Sequence, residues 1–455
     1  MSAILLLPGI ISLFLVIRGR LETAFLSVYL PSLLLLPEKY NFRLPHLPPF
    51  SAAEYALMPV GIAALLRFVK SGSFRLMDTL VVLFSISLSI SEIMHEPIIA
   101  DGIFAAISSV VYFILAYMTG RMLIEPDFRL AVVRRIVILM LLPGPIAVYQ
   151  WMNRNIYGII GNRILKLPMD EFVDMRAGHG KAGGSFMASE IDGIALGITF
   201  ALNAWLVFLY KRKLVGNLGK LFSKLEKFHV PALLLVFYLF LTQERGPLMA
   251  LVVALLILQI PKFRKPKLIT GFVAVTLIVG ALGAKQYFTK YTNISDDQYD
   301  SVSEQARSAL YRRRMNERMQ SVAEMGGWTG WGGNGVPEVE GVGKSIDNEF
   351  LRVHLIQGRL GYILFVLICA ESIRTAVAQL WRFQALEDRA FAGSVLAALA
   401  CLWITLYTVY MGEQLPQFAF LLIGWGQSIM PRRTSTAPVA AFESQPKFVF
   451  RQVFE

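Results

Sequence analysis

Long apolar runs recur from one end of the chain almost to the other. They fall at about 3–17, 21–36, 55–69, 77–93, 103–123, 136–150, 190–210, 229–242, 247–261, 268–284, 359–373, 391–412 and 417–430. Most of them approach or exceed the ~20 residues that an α-helix needs to cross a bilayer. In lipid, every backbone N–H and C=O must be satisfied within its own segment or a closed barrel, so runs of this length specify membrane helices. Only 17% of the 455 residues are charged, against 55% hydrophobic, which is too little charge to cover a soluble protein of this size. The expected fold is an all-α, polytopic membrane helix bundle of about 12–14 transmembrane helices. The first two runs are short enough to form one re-entrant hairpin. Residues 1–430 would form the transmembrane domain, and 431–455, rich in Pro, Ser and Thr, a cytoplasmic tail.

The net charge of +12 does not read as nucleic-acid binding, because no basic run is interleaved with aromatics. Arg and Lys instead occupy alternate connections: Arg18/Arg20, Arg67/Lys70/Arg75, Arg129/Arg134/Arg135, Lys211–Lys213, Lys262–Lys267, Arg374/Arg382 and Arg432/Arg433. The positive-inside rule places these in the cytoplasm. Residues 211–229 also carry Leu214, Leu218, Leu221, Leu225 and Phe228 at helical spacing, which predicts an amphipathic helix on that surface. The start, MSAILLLPGI, lacks a basic n-region and a cleavage site and reads as a retained helix. Cys369 and Cys401 lie inside apolar runs and read as packing residues, with neither a disulfide framework nor metal-ligand spacing.

The opposite, extracytoplasmic side then receives two long loops, 151–189 and 285–358, and the turn at 243–246. In the larger loop, Ser301-x-x-Glu304 is a capping-box signal and Gly326-Gly327 a stop, so a helix of about 25 residues is expected between them. Arg307, Tyr311, Arg314 and Arg318 follow at intervals of four, three and four and share one face, which Arg312 and Arg313 broaden. A basic stripe on this side runs against the positive-inside bias. It points to an anionic ligand, because guanidinium forks match phosphate oxygens; a solvated charged face is the alternative.

Next, GWTGWGGNGVPEVEGVG (327–343) reads in two ways. Dense glycine lets backbone approach a ligand, with Trp328 and Trp331 stacking on sugar rings, or the stretch is a flexible loop with interfacial tryptophans. In SIDNEFLRVHLIQGRLGYILF (345–365), Asp347 is either a base at the membrane mouth or, like Ser345, a helix cap. His354 lies seven residues on, on nearly the same face, and is either a site residue or a satisfied polar residue of the bundle. The smaller loop carries Arg176, His179 and Lys181 in a glycine-rich turn. Glu190 and Asp192 open the following helix, where carboxylates also suit the N-terminal dipole. Finally, LTQERGPLMA (241–250) sets Gln243, Glu244 and Arg245 between two apolar runs. A charge at the bilayer centre costs about 2.5 kcal/mol or more, so Arg245 is expected at the mouth, facing the same side as both loops.

In this order, these pieces resemble the O-antigen polymerase and O-antigen ligase superfamily of polytopic glycosyltransferases. The resemblance covers roughly residues 130–430. It rests on the Arg-to-Gly-rich turn Arg176–Phe186, the hairpin Glu244-Arg245-Gly246, the arginine-bearing loop with its Gly-x-Gly stretch from Arg307 to Gly335, and Asp347-Asn348-Glu349-Phe350-Leu351 followed by Gly358-Arg359-Leu360-Gly361. The chain departs from the pattern twice. Asp347 stands where the ligases carry histidine, which leans toward a polymerase, and Glu244 stands where serine is usual.

The resemblance implies a GT-C-like bundle in the bacterial inner membrane that joins oligosaccharide repeats carried on undecaprenyl pyrophosphate. It implies a metal-independent reaction with no cofactor. The partners would be lipid-linked oligosaccharide donor and acceptor, membrane lipid, a flippase and a chain-length regulator, but no nucleic acid. Arg245 would clamp the pyrophosphate and stabilise the leaving group, and Asp347 would deprotonate an acceptor hydroxyl. Arg176, His179, Arg307, Tyr311, Arg312, Arg314, Arg318, Asn348 and His354 would bind substrate. The alternatives are a ligase acting on another acceptor, or a transporter, for which Glu371, Pro143 and Pro145 are the only hints.

Overall fold

The computed structural model describes residues 2–96, 98–176, 178–211, 229–292, 304–339 and 346–429. The expected amphipathic helix at 211–229, the capping residue Ser301, Ser345 and the tail 431–455 fall wholly or mainly outside them. We number the main helices α1 (Ala3–Ile17), α2 (Leu21–Leu35), α3 (Ala52–Ser71), α4 (Leu76–His95), α5 (Ile99–Leu123), α6 (Arg129–Trp151), α7 (Ser189–Lys211) and α8 (Val230–Leu241). They continue with α9 (Arg245–Lys262), α10 (Pro266–Tyr287), α11 (Glu304–Met325), α12 (Glu349–Arg382), α13 (Leu386–Leu406) and α14 (Leu415–Ser428). Among the described residues, 9 of these helices are long and apolar enough to cross a membrane, and α1, α2 and α8 are shorter apolar helices. Every apolar run read from the sequence lies on one of them. The protein is a polytopic helical membrane protein, and its only described sheet is two short antiparallel pairs, Asn41–Arg43 with Pro49–Ser51 and Met175–Arg176 with His179–Gly180.

Local signals set the helix ends. A reciprocal capping box opens α3: the Ser51 N–H donates to Glu54 Oε2 at 2.5 Å and the Glu54 N–H to Ser51 Oγ at 3.4 Å. The α11 helix stops at Gly326 and Gly327, and the chain turns through positive φ at Gly327. In the bundle core, α13 is buried along almost its whole length. Helices α5 and α14 touch backbone to backbone: a Cβ at Gly120 would meet the Leu421 carbonyl oxygen at 2.0 Å, and one at Gly424 the Tyr117 carbonyl oxygen at 2.0 Å. Small residues permit this close helix packing. By contrast, none of the α10 span is buried inside the protein, as suits a helix turned to lipid.

The connections sort into two groups that make contacts among themselves. At one end, Arg121 donates to the Ser73 carbonyl at 2.5 Å, Arg75 to that of Gln427, and Arg129 meets Asp388 at 3.4 Å. We call this the basic end. At the other, the Glu38 N–H reaches Gln414 Oε1 at 3.3 Å, Met411 N–H reaches Glu349 Oε2 at 2.7 Å, and Gly333 N–H reaches Glu92 Oε1 at 2.9 Å. This loop-rich end carries every candidate site residue except His354, which lies on the first turns of α12. Glu371 is paired through both carboxylate oxygens with Arg374, at 2.6 and 2.7 Å, and lines a cavity with Arg75 and Arg382 at the basic end. It therefore gives no support to a midplane transport site.

Candidate functional site

The hairpin between α8 and α9 is anchored on a buried carboxylate. Gln243 takes a left-handed conformation, φ +57°, and turns the chain. Its side-chain amide donates to the Gly180 carbonyl at 3.2 Å, and Arg176 Nη1 donates to the Gln243 carbonyl at 2.6 Å. Glu244 is buried. Its Oε1 accepts from Ser189 Oγ at 3.0 Å, lies 2.8 Å from Lys181 Nζ, and is 3.6 Å from Arg176 Nη1. Lys181 also reaches Glu190 Oε1 at 3.2 Å. Burial alone would lower the Lys181 ammonium, but the hydrogen bond from Glu244 and the charges of Glu190 and Glu244 outweigh it and hold it above its ordinary value.

Two cations, Arg176 and Lys181, thus meet two carboxylates, Glu190 and Glu244. The next residue, Arg245, is exposed and makes no hydrogen bond or ion pair among the described residues. It opens α9, whose N-cap Glu244 provides no side-chain cap. A free guanidinium therefore sits beside uncapped N–H groups at a helix N-terminus, an arrangement suited to anions.

The second loop is built around a broken helix. Gly358 leaves the helical region at φ +66°, ψ −162°, and splits α12. The glycine-rich loop fills the break. Trp331 N–H donates to the Leu355 carbonyl at 2.8 Å and Gly332 N–H to that of Ile356 at 3.0 Å. In return, Arg359 N–H donates to the Gly327 carbonyl at 3.0 Å. A Cβ on Gly330 would lie 2.4 Å from Gly358 N, so backbone meets backbone there. Gly330 serves this close approach, while Gly332 and Gly333 lie against His95 and Glu92 of α4. Trp331 is likewise engaged: its indole N–H donates to the Val322 carbonyl at 3.0 Å and its ring packs on the cluster under α11. Of the two tryptophans expected to stack on sugar, only Trp328 is exposed.

Helix α11 buries Met315, Met319, Val322 and Ala323 against Leu351 and Leu355 of α12, with Tyr311 packed on that cluster. Its arginines fan out around this face. Arg312 Nε is 3.7 Å from Asp347 Oδ2, and Arg313 pairs with Glu317 at 2.8 Å. Arg314 is part-buried and Arg318 exposed. Arg307 lies on the helix, with its side chain outside what the structure describes. Asp347 does not cap α12. Asn348 does, its Oδ1 accepting from Phe350 N–H at 3.1 Å and Leu351 N–H at 3.3 Å. His354 is buried, with its ring against Tyr362 at 5.1 Å. Its charged neighbours are Glu324 and Arg359, so it does not join Asp347 despite the seven-residue spacing. His179 stacks on Trp151 at 3.9 Å, at the edge of the hairpin cluster.

The two loops converge on the turn 407–414. A Cβ on Gly246 would meet Thr408 Oγ1 at 2.8 Å, which ties the hairpin to this turn. The turn also carries Tyr410, whose hydroxyl is pushed up to about 12 by burial, then by the charges of Glu413, Glu190 and Asp347, against Arg352. One side chain thus feels both charge clusters. Beside it lies a cavity of about 270 Å³ bordered by Glu38, Glu92, Glu349, Arg352, Gln357 and Glu413. Sequence reasoning did not single out Lys181, Glu349, Arg352, Tyr410 or this cavity as part of the site. The only available signal was the run of carboxylates beside loop ends, which in a single sequence looks like ordinary helix capping.

Residues 230–366 match the family model described as O-antigen ligase. The match takes in the hairpin with Arg245, helix α11, and Asp347 through the break in α12. It supports the O-antigen ligase and polymerase superfamily for this chain, and with it the ligase and polymerase class of function. A search of curated proteins gave no match.

Proposed function

We propose that the protein is a polysaccharide polymerase, making O-antigen or exopolysaccharide. It joins oligosaccharide repeats carried on undecaprenyl pyrophosphate at the extracytoplasmic face of the bacterial inner membrane. The observation that carries this reading is Arg245, the cation left over when Arg176 and Lys181 are matched by Glu190 and Glu244, standing at the open N-terminus of α9. Arg245 and the adjacent N–H groups bind the donor pyrophosphate and stabilise the charge that develops as the sugar C1–O bond breaks. Asp347, oriented by Arg312, takes the proton of the acceptor hydroxyl as that oxygen bonds to C1. The chemistry assigned to these residues needs no metal. Arg312, Arg314 and Arg318 border the path of the lipid-linked chain, with Asn348 shaping the loop that presents Asp347.

A ligase is the second reading, favoured by the description of the matching family. The products separate the two. Purified protein in nanodiscs, supplied only with a lipid-linked repeat, should yield a ladder of multimers and free undecaprenyl pyrophosphate. Transfer that occurs once, and only when a different acceptor is added, would establish the ligase. Sidedness is tested by cysteine labelling: Asn334→Cys should label from outside intact cells and Ser73→Cys only after permeabilisation.

A further inference from the structure

The cavity beside Tyr410 differs in character from the arginine-bearing hairpin. Four carboxylates border it, from Glu38, Glu92, Glu349 and Glu413, and one guanidinium, Arg352. Arg352 is already 3.4 Å from Glu349, and Lys39, outside the lining, reaches Glu413 at 3.8 Å. The remaining wall is apolar, with Phe84, Phe113 and Val353. Gln357 lines the same cavity at 4% exposure, and its Oε1 has no hydrogen-bond partner. Glu38 Oε2 is also unpartnered, although Glu38 Oε1 accepts from Tyr112 at 3.1 Å. Buried polar atoms are nearly always satisfied, so two unpartnered acceptors on residues that border one cavity are groups a ligand's hydroxyls would satisfy.

The donor set indicates which ligand. The carboxylates do not converge: among the described residues, no three His, Cys, Asp or Glu side chains are grouped as for a metal ion. Acceptors spread around a ring-sized space, with aromatic carbon on one wall, match the hydroxyl edge and apolar face of a sugar. At about 270 Å³ the cavity falls just below the usual ~300–1,000 Å³ range of small-molecule sites, so it holds about one ring. We infer that this cavity is the acceptor-sugar subsite, and that it selects an uncharged or amine-bearing ring over a uronic acid. The assignment rests on the polymerase and ligase reading above, and it divides the site by charge, with the donor pyrophosphate on the Arg245 side and the acceptor ring on the carboxylate side. Burial, and then the charges of Glu54 and Glu413, push the Glu38 carboxyl well above its ordinary range, so a further negative charge there would be resisted.

The test is saturation-transfer NMR on the full chain in nanodiscs, with glucose, glucosamine and glucuronate as separate probes. Glucose and glucosamine should give signals and glucuronate should not. Gln357→Leu should weaken the first two by about three- to tenfold, the loss of one or two neutral hydrogen bonds. If Gln357→Leu does not fold, Glu413→Gln takes its place: it keeps shape, removes one of the charges that act on Glu38, and should let glucuronate bind. Equal signals from glucuronate and glucosamine in the unaltered protein would overturn the inference, as would no signal from any sugar, or signals unmoved by every variant. Binding as expected in a protein that forms no glycosidic bond would spare the cavity assignment and sink the polymerase and ligase reading instead.

Discussion

The smaller loop and the arginine helix both bring cations to the loop-rich end, but they hold them differently. In the smaller loop, Arg176 and Lys181 are drawn onto the buried Glu244, with Glu190 as the second anion. On α11 the arginines fan out over a part-exposed surface, and two ion pairs there, Arg312 with Asp347 and Arg313 with Glu317, involve side chains open to water. Removing one partner from a buried pair leaves an uncompensated charge, at about 3–5 kcal/mol. An exposed pair contributes about 0.2–1 kcal/mol. The first loop therefore uses its cations to fix a hairpin and leaves Arg245 outside the cluster, whereas the second sets its ion pairs where water screens them.

The comparison is sharpened most by Asp347. If it is the base, Asp347→Asn should lower turnover of a purified lipid-linked repeat by about 10²–10⁴. Thermal unfolding should hardly change, because the Arg312 contact is exposed and Asn348 does the capping. Near-normal turnover would reduce Asp347 to a surface partner of Arg312. Next comes Glu244→Ala, expected to destabilise the protein by about 3–5 kcal/mol and to expose the 175–190 loop to protease. A loss below about 1 kcal/mol would mean that the buried cluster behaves like the exposed one. Arg245→Ala should cost about 10²–10³ in rate, the scale of losing one charge-stabilising donor, with normal insertion and melting. Arg245→Lys should recover little, since an ammonium lacks the planar fork. Full activity in Arg245→Ala would leave the residue as a membrane-interface anchor. The smallest effect is predicted for Arg313→Ala, about 0.3–0.5 kcal/mol in unfolding, as for other surface pairs four residues apart on a helix. A large loss there would show that α11 is more than a surface array.

The helices were legible because membrane spans are a local property. Hydrophobicity over a window and the need to satisfy each backbone group internally specify them without reference to neighbours. The same locality made α11 readable from its glycine stop, and Arg245 readable as a hairpin residue at the loop-rich end. Readings that depended on a partner fared differently. The glycines of 327–335 looked like ligand-approach residues, but Gly330 approaches the break at Gly358, and Gly332 and Gly333 approach His95 and Glu92. Asp347 looked like a cap, but Asn348 one residue on has the geometry. Asp347 and His354 share a helical phase, yet they face different neighbours.

The sequence alone therefore determined the bundle, the alternation of its connections and the set of polar residues carried to one end, because each follows from composition within a few turns of helix. Only the tertiary structure decided which of these residues are consumed by one another. Glu244 neutralises Lys181 across more than sixty positions, and the turn with Glu413 closes on that with Glu38 through a Gln414 contact 376 positions apart. Pairing energies depend on burial and distance, and neither is written in a single stretch of chain. That is why the spare arginine and the carboxylate-lined cavity become visible only once the loops are folded against each other.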